Sequence, residues 1–180
     1  MPPKFSTALL CAAFLGAGLM TVNAQTPAPA KKDMRRAEHK FLDKVAEHNL
    51  AEIHAGKLAA VQGSSREVRN FGKQMAQDHA RSYQDVVELA RAKRVSLPGQ
   101  PDRGHKKDAE KMQKLGGPAF DREYMGAMVK DHEKDVKAFQ KMARSAKDPD
   151  VKAYALKTLP TLEGQLNMAR ELQSRTKKAR

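Results

Sequence analysis

The chain has 180 residues, 34 Lys and Arg against 21 Asp and Glu, a formal net charge of +13, 40% hydrophobic residues and 5% aromatics. A single cysteine, Cys11, excludes a disulfide scaffold and a Cys-ligated zinc or iron–sulfur site. Periodic Leu, Val, Met, Ala and Phe argue against a fully disordered chain, and the lack of a second long apolar run excludes a multispan membrane protein.

Residues 1–24 have the layout of a secretory signal peptide. Lys4 supplies the positive start, Ala8 to Met20 is apolar, and Val22-Asn23-Ala24 ends in small residues. Cleavage is expected after Ala24, which would place the mature chain in the periplasm or outside the cell. An uncleaved leader would instead be a membrane anchor, although its apolar run is short of the roughly 20 residues a spanning helix needs. Cys11 reads as an apolar residue of this leader. Residues 25–37, opening with QTPAPA, read as a flexible lead-in, 38–174 as the folded domain and 175–180 as a basic tail.

From Met34 to Gln62, Phe41, Leu42, Val45, Ile53, Gly56, Ala59 and Ala60 recur near helical spacing. Gly63 ends that helix, and Ser64 with Glu67 predicts a capping box for the next. The second helix carries Val68, Gly72, Met75, His79, Ser82, Val86 and Leu89, and stops by Leu97-Pro98. Residues 98–104 are loop-forming, and a short polar helix is expected from His105 to Leu115. Pro118 opens a third long helix with the seam Met125, Met128, His132, Asp135, Phe139 and Met142. Asp148 caps a fourth, lined by Val151, Ala155, Thr158, Leu162, Gln165, Ala169 and Leu172 and expected to kink at Pro160.

No stretch alternates with a period of two. The predicted fold class is all-α, a ferritin-like antiparallel four-helix bundle with one long crossover containing the short extra helix. A shift of 53 residues brings Phe71, Met75, Asp78, His79, Ala90 and Arg91 onto Tyr124, Met128, Asp131, His132, Ala143 and Arg144. The second and third long helices thus read as approximate copies, each with an Asp-His pair at the same height.

Neighbouring helical residues differ by about 100°, so one member of each pair faces inward, and the seams assign that place to His79 and His132. Two inward imidazoles suit a transition metal such as Fe, Cu or Zn. Glu52 is the candidate third ligand, Asp78 and Asp131 the flanking carboxylates, with Gln165 and Glu163 on the last helix. The structural alternative makes both histidines hydrogen-bonded core residues. His39, His48, His54 and His105 read as surface residues. No Glu is followed three residues later by His, so the diiron carboxylate ligand set is missing and a non-catalytic role is favoured.

The runs AEIHAGKLA (51–59), VRNFGKQMAQDHA (68–80), FDREYMGAMVKDHEKDVKAFQKMA (120–143) and DPDVKAYALKTLPTLEGQLNMA (148–169) resemble the domain of unknown function 4142 family. The resemblance implies a ferritin-like bundle exported to the bacterial envelope and assigns no reaction. Its matching positions are Glu52, Asp78, His79, Asp131, His132 and the Pro160 segment. Gln165 stands where members of that family often carry a His, and an amide ligates metal poorly.

Lys31-Lys32, Arg35-Arg36, Arg103 to Lys107 and Arg175 to Arg180 are the densest basic clusters. For an exported chain, anionic lipid or another envelope polyanion is the available partner. Few aromatics argue against nucleic acid. Two functions follow: an envelope bundle with a central metal or small-ligand site, or an interaction module that uses its basic exterior. A homo-oligomer is compatible with either.

Overall fold

The computed structural model describes residues 34–178; the leader, most of the lead-in and the last two residues of the tail lie outside the described residues. Five helices follow one another: α1 (Arg36–Gln62), α2 (Arg66–Ala92), α3 (Arg103–Gln113), α4 (Gly117–Ser145) and α5 (Pro149–Lys178). No strand occurs among the described residues, so the fold is all-α. Among these residues no helix is long and apolar enough to cross a membrane.

Local chemistry accounts for most boundaries. The side chain of Ser65, not Ser64, caps α2 by accepting from the Val68 N–H at 3.2 Å. Ser64 is drawn away because its own N–H and that of Ser65 donate to buried Asp121 on α4, at 2.7 and 2.9 Å. Asp102 caps α3 through Gly104 and His105, so that helix begins two residues before its predicted start. Asp148 caps α5 through the N–H groups of Asp150 and Val151. α5 continues through Pro160, on an exposed stretch where Leu156, whose carbonyl loses its helical partner, is 54% exposed.

α1 packs on α2 and α4 on α5, while α1–α4 and α2–α5 contacts join the two hairpins. Two apolar clusters fill the interior. One gathers Phe41, Leu42, Val86, Phe139, Met142, Val151 and Tyr154 from the start of α1, the end of α2, the end of α4 and the start of α5. The other gathers Ala59, Val68, Phe71, Phe120, Tyr124, Met125 and Ala169 from the opposite ends of the same helices. Neighbouring long helices are therefore antiparallel, and the crossover that holds α3 runs from one cluster to the other. Each large apolar side chain so buried contributes about 1.5–3 kcal/mol. Between the clusters lies a polar layer, and it positions the site.

Candidate metal centre

Asn49 and Glu52 on α1, His79 on α2, Asp131, His132 and Asp135 on α4 and Gln165 on α5 are all buried. On α1 the seam residues Phe41, Leu42, Val45, Gly56 and Ala59 are buried as expected, but between them the inward position is Glu52, with Ile53 half-buried beside it. Asn49, Glu52, Gly56 and Ala59 continue the stripe begun by Leu42 and Val45 at spacings of three and four.

His79 and His132 meet edge to face, with ring centroids 5.6 Å apart. His79 donates from Nδ1 to the Asn49 side-chain oxygen at 2.9 Å, and His132 donates from Nδ1 to the Met128 carbonyl at 2.9 Å. An imidazole that donates from Nδ1 in its neutral form has its lone pair at Nε2. Both Nε2 atoms are buried without a hydrogen-bond partner, as are the Glu52 Oε2 and Tyr124 hydroxyl oxygens. Burial lowers the His79 pKa to about 3, and His132 adds to that effect, so this ring is neutral at ordinary pH. Burial pushes the Glu52 carboxyl well above the usual carboxylate range, with Asp131 and Asp135 acting in the same direction. Tyr124 is raised by burial and by the nearby Glu52.

The two flanking aspartates have other partners. Asp78 is half-buried, ion-paired with Arg81, and accepts from Gln165 Nε2 at 3.2 Å. Asp131 pairs with Lys134 at 2.7 Å and lies 3.9 Å from His105 Nε2. The imidazole rings are thus held by an amide and a backbone carbonyl rather than by these carboxylates.

The expectation that His48 and His105 lie on the surface is corrected. His48 donates from Nδ1 to Asp135 at 2.7 Å, and its ring contacts that of His105 with centroids 4.7 Å apart. Both side chains are only 16% exposed because α3 lies over this side of α1 and α4. Burial lowers the His48 pKa, but Asp135, aided by Asp131 and Asp102, carries it above its ordinary value. His39 and His54 are exposed, as expected. Among the described residues, His48, Asp102 and His105 bring three ligand atoms within 4.8 Å of one another. Glu52, His79 and His132 do not converge so tightly.

A cavity of about 280 Å³ opens between α1, α3 and α4. Glu52, Ala55, His105, Met112, Met128 and Asp131 are among its lining residues, so it leads from beneath α3 to the edge of the polar layer. Sequence reasoning missed Asn49, His48, Asp102 and His105. Asn49 was readable, because it falls on the α1 stripe. His105 carried no local signal, since only the path of the crossover brings it to α1.

Residues 23–172 match the family model described as a domain of unknown function, DUF4142. The chain belongs to this family. No curated protein matches it. The family chain is similar in fold to the crystal structure of a DUF305 fragment from Deinococcus radiodurans, with a TM-score of 0.70. That likeness covers 80% of this chain and 99% of the fragment at 13% identity, and at such identity it concerns the fold alone.

Proposed function

We propose that this chain is an exported, non-catalytic ferritin-like bundle whose centre holds a transition-metal ion, of the class Fe, Cu or Zn. Nε2 of His79, Nε2 of His132 and the Glu52 carboxylate would be its ligands, with Asp78 and Asp131 at the flanks. The observation that carries the reading is the pair of buried, partnerless Nε2 atoms, each in a ring whose Nδ1 is already engaged. A ring hydrogen-bonded at one nitrogen presents the other as a fixed ligand. A purely structural histidine would gain by satisfying both nitrogens, because a buried polar atom without a partner costs about 1–3 kcal/mol. In this reading the ion would be held rather than put to catalytic use, and the chain's own part is to present the two rings and the carboxylate.

The test is elemental analysis after exposure to each metal, applied to the wild type and to His132→Leu. Leucine keeps an apolar side chain in place, and the Met128 carbonyl remains within its helix. The expected result is that the variant takes up about one equivalent less metal than the wild type. The metal-free variant should be as stable as the metal-free wild type or more so, within about 1 kcal/mol by urea unfolding. Equal uptake by both proteins, or a variant that loses stability with no metal ever bound, would make His132 structural.

A second reading has an observation of its own. Six carboxylate residues, Glu38, Glu52, Asp121, Asp131, Asp135 and Asp148, are buried, whereas no Lys or Arg is among the buried described residues. The exterior is therefore more basic than the net charge implies, which suits anionic envelope surfaces. Phosphatidylglycerol vesicles should then retain the protein at low ionic strength and release it as salt rises toward about 0.5 M, independently of His132. Retention that ignores salt would count against this reading.

A further inference from the structure

We infer that His48, Asp102 and His105 form a second, outer site for a divalent transition metal, beside the cavity that His105 and Glu52 both line. The three ligand atoms come from α1, from the turn before α3 and from α3 itself, and lie within 4.8 Å of one another. His48 is oriented for this role, because its Nδ1–H is held by Asp135 at 2.7 Å and its Nε2 is left for an ion. His105 Nδ1 lies 3.1 Å from Asp102 Oδ1, yet it is buried and makes no hydrogen bond. Two donors that each bind one ion at about 2.1 Å, at tetrahedral to octahedral angles, lie roughly 3.0–3.4 Å apart. That spacing is compatible with both groups binding one ion, and it leaves the buried His105 Nδ1 without another partner.

The turn is firmly built, since Asp102 Oδ1 accepts from the Gly104 and His105 N–H groups at 2.8 and 3.1 Å. Among the described residues Lys44 is the lysine or arginine paired with these ligands, 3.4 Å from Asp102 Oδ2, and it also has Glu47 as a partner at 2.6 Å. Asp131 Oδ2 lies 3.9 Å from His105 Nε2, on the same cavity wall as Glu52. An ion captured outside therefore has carboxylates along its way inward. The outer site stands on its own geometry; its role in loading the centre rests on the central site proposed above.

The experiment is isothermal titration of the metal-free protein with Zn²⁺, and stopped-flow absorption with Co²⁺, on wild type, His48→Ala/His105→Ala and His132→Leu. The wild type should take up a second, weaker ion that the double variant loses and His132→Leu retains. Loading of the central site in the double variant should slow by at least about tenfold. If the central reading fails and this one holds, one ion binds, His132→Leu keeps it and the double variant loses it. Unchanged stoichiometry in the double variant, with its helix content intact by circular dichroism, would overturn the outer site. Should the double variant misfold, His105→Gln on the outlying α3 gives the same comparison.

Discussion

Gly56→Ala is expected to lower the unfolding free energy by about 2–3 kcal/mol, whereas Gly164→Ala is expected to raise it by up to about 1 kcal/mol. Both glycines are helical, so alanine offers each the same gain in helix propensity. The difference lies in what the new methyl group meets. At Gly56 it would sit 2.6 Å from the Gly72 carbonyl oxygen and 2.8 Å from the Ala76 nitrogen, both backbone atoms of α2. At Gly164 nothing lies within 4 Å. Gly72 faces the same constraint from the other side, 2.7 Å from the Ala59 methyl and 2.8 Å from the Gly56 oxygen. α1 and α2 thus touch backbone to backbone, and any side chain there must push the helices apart. That displacement would also pull Asn49 away from His79. Thermal unfolding should place Gly56→Ala about 5–10 °C below the wild type and Gly164→Ala a few degrees above it. Equal shifts in the two variants would show that the helices part without cost.

Glu38→Ala should cost about 3 kcal/mol, and Glu38→Gln about half of that. Glu38 is 1% exposed and accepts from the Lys147 N–H at 2.6 Å, the Asp148 N–H at 3.2 Å and the Arg35 N–H at 2.8 Å. One carboxylate therefore ties the start of α1 to the turn between α4 and α5. Burial by itself would raise its pKa, but the three backbone donors and Arg35 together hold it below the ordinary 4.5. A carboxyl lowered in the folded state contributes stability that is present above pH 4.5 and is lost as pH falls through the folded value. Urea unfolding from pH 7 to pH 3 should show the gap between wild type and Glu38→Gln narrowing below pH 4.5. Asp148, also lowered, with Lys93 offsetting the cost of its burial, leaves both proteins some acid sensitivity. A gap that stays constant with pH would mean that Glu38 acts through shape alone.

The two helices related by the 53-residue repeat show how far local pattern reaches. Phe71 and Tyr124 correspond in the repeat and meet at 6.2 Å between ring centroids, and His79 and His132 correspond and meet at 5.6 Å. Their inward turn was legible because helical periodicity assigns a face. Their surroundings were not legible. Asp78 finds Gln165 and Arg81, while its counterpart Asp131 finds Lys134 and His105, because α3 covers one copy only.

Periodicity, caps and breakers are short-range, so the chain by itself determined five helices, most of their starts and the inward histidines. Two ends differ: α2 stops at Ala92, short of Leu97-Pro98, and α5 runs on to Lys178. It also signalled the family through its ordered runs. On α1 the seam was misplaced at Ile53, which is more apolar than Glu52, and composition favours the apolar residue; tertiary packing instead placed the carboxyl inside. His48, Asp102 and His105 lie on separate elements up to 57 positions apart in number. The α3 cap brings Asp102 and His105 together locally, but only the route of the crossover across α1 and α4 brings that pair to His48.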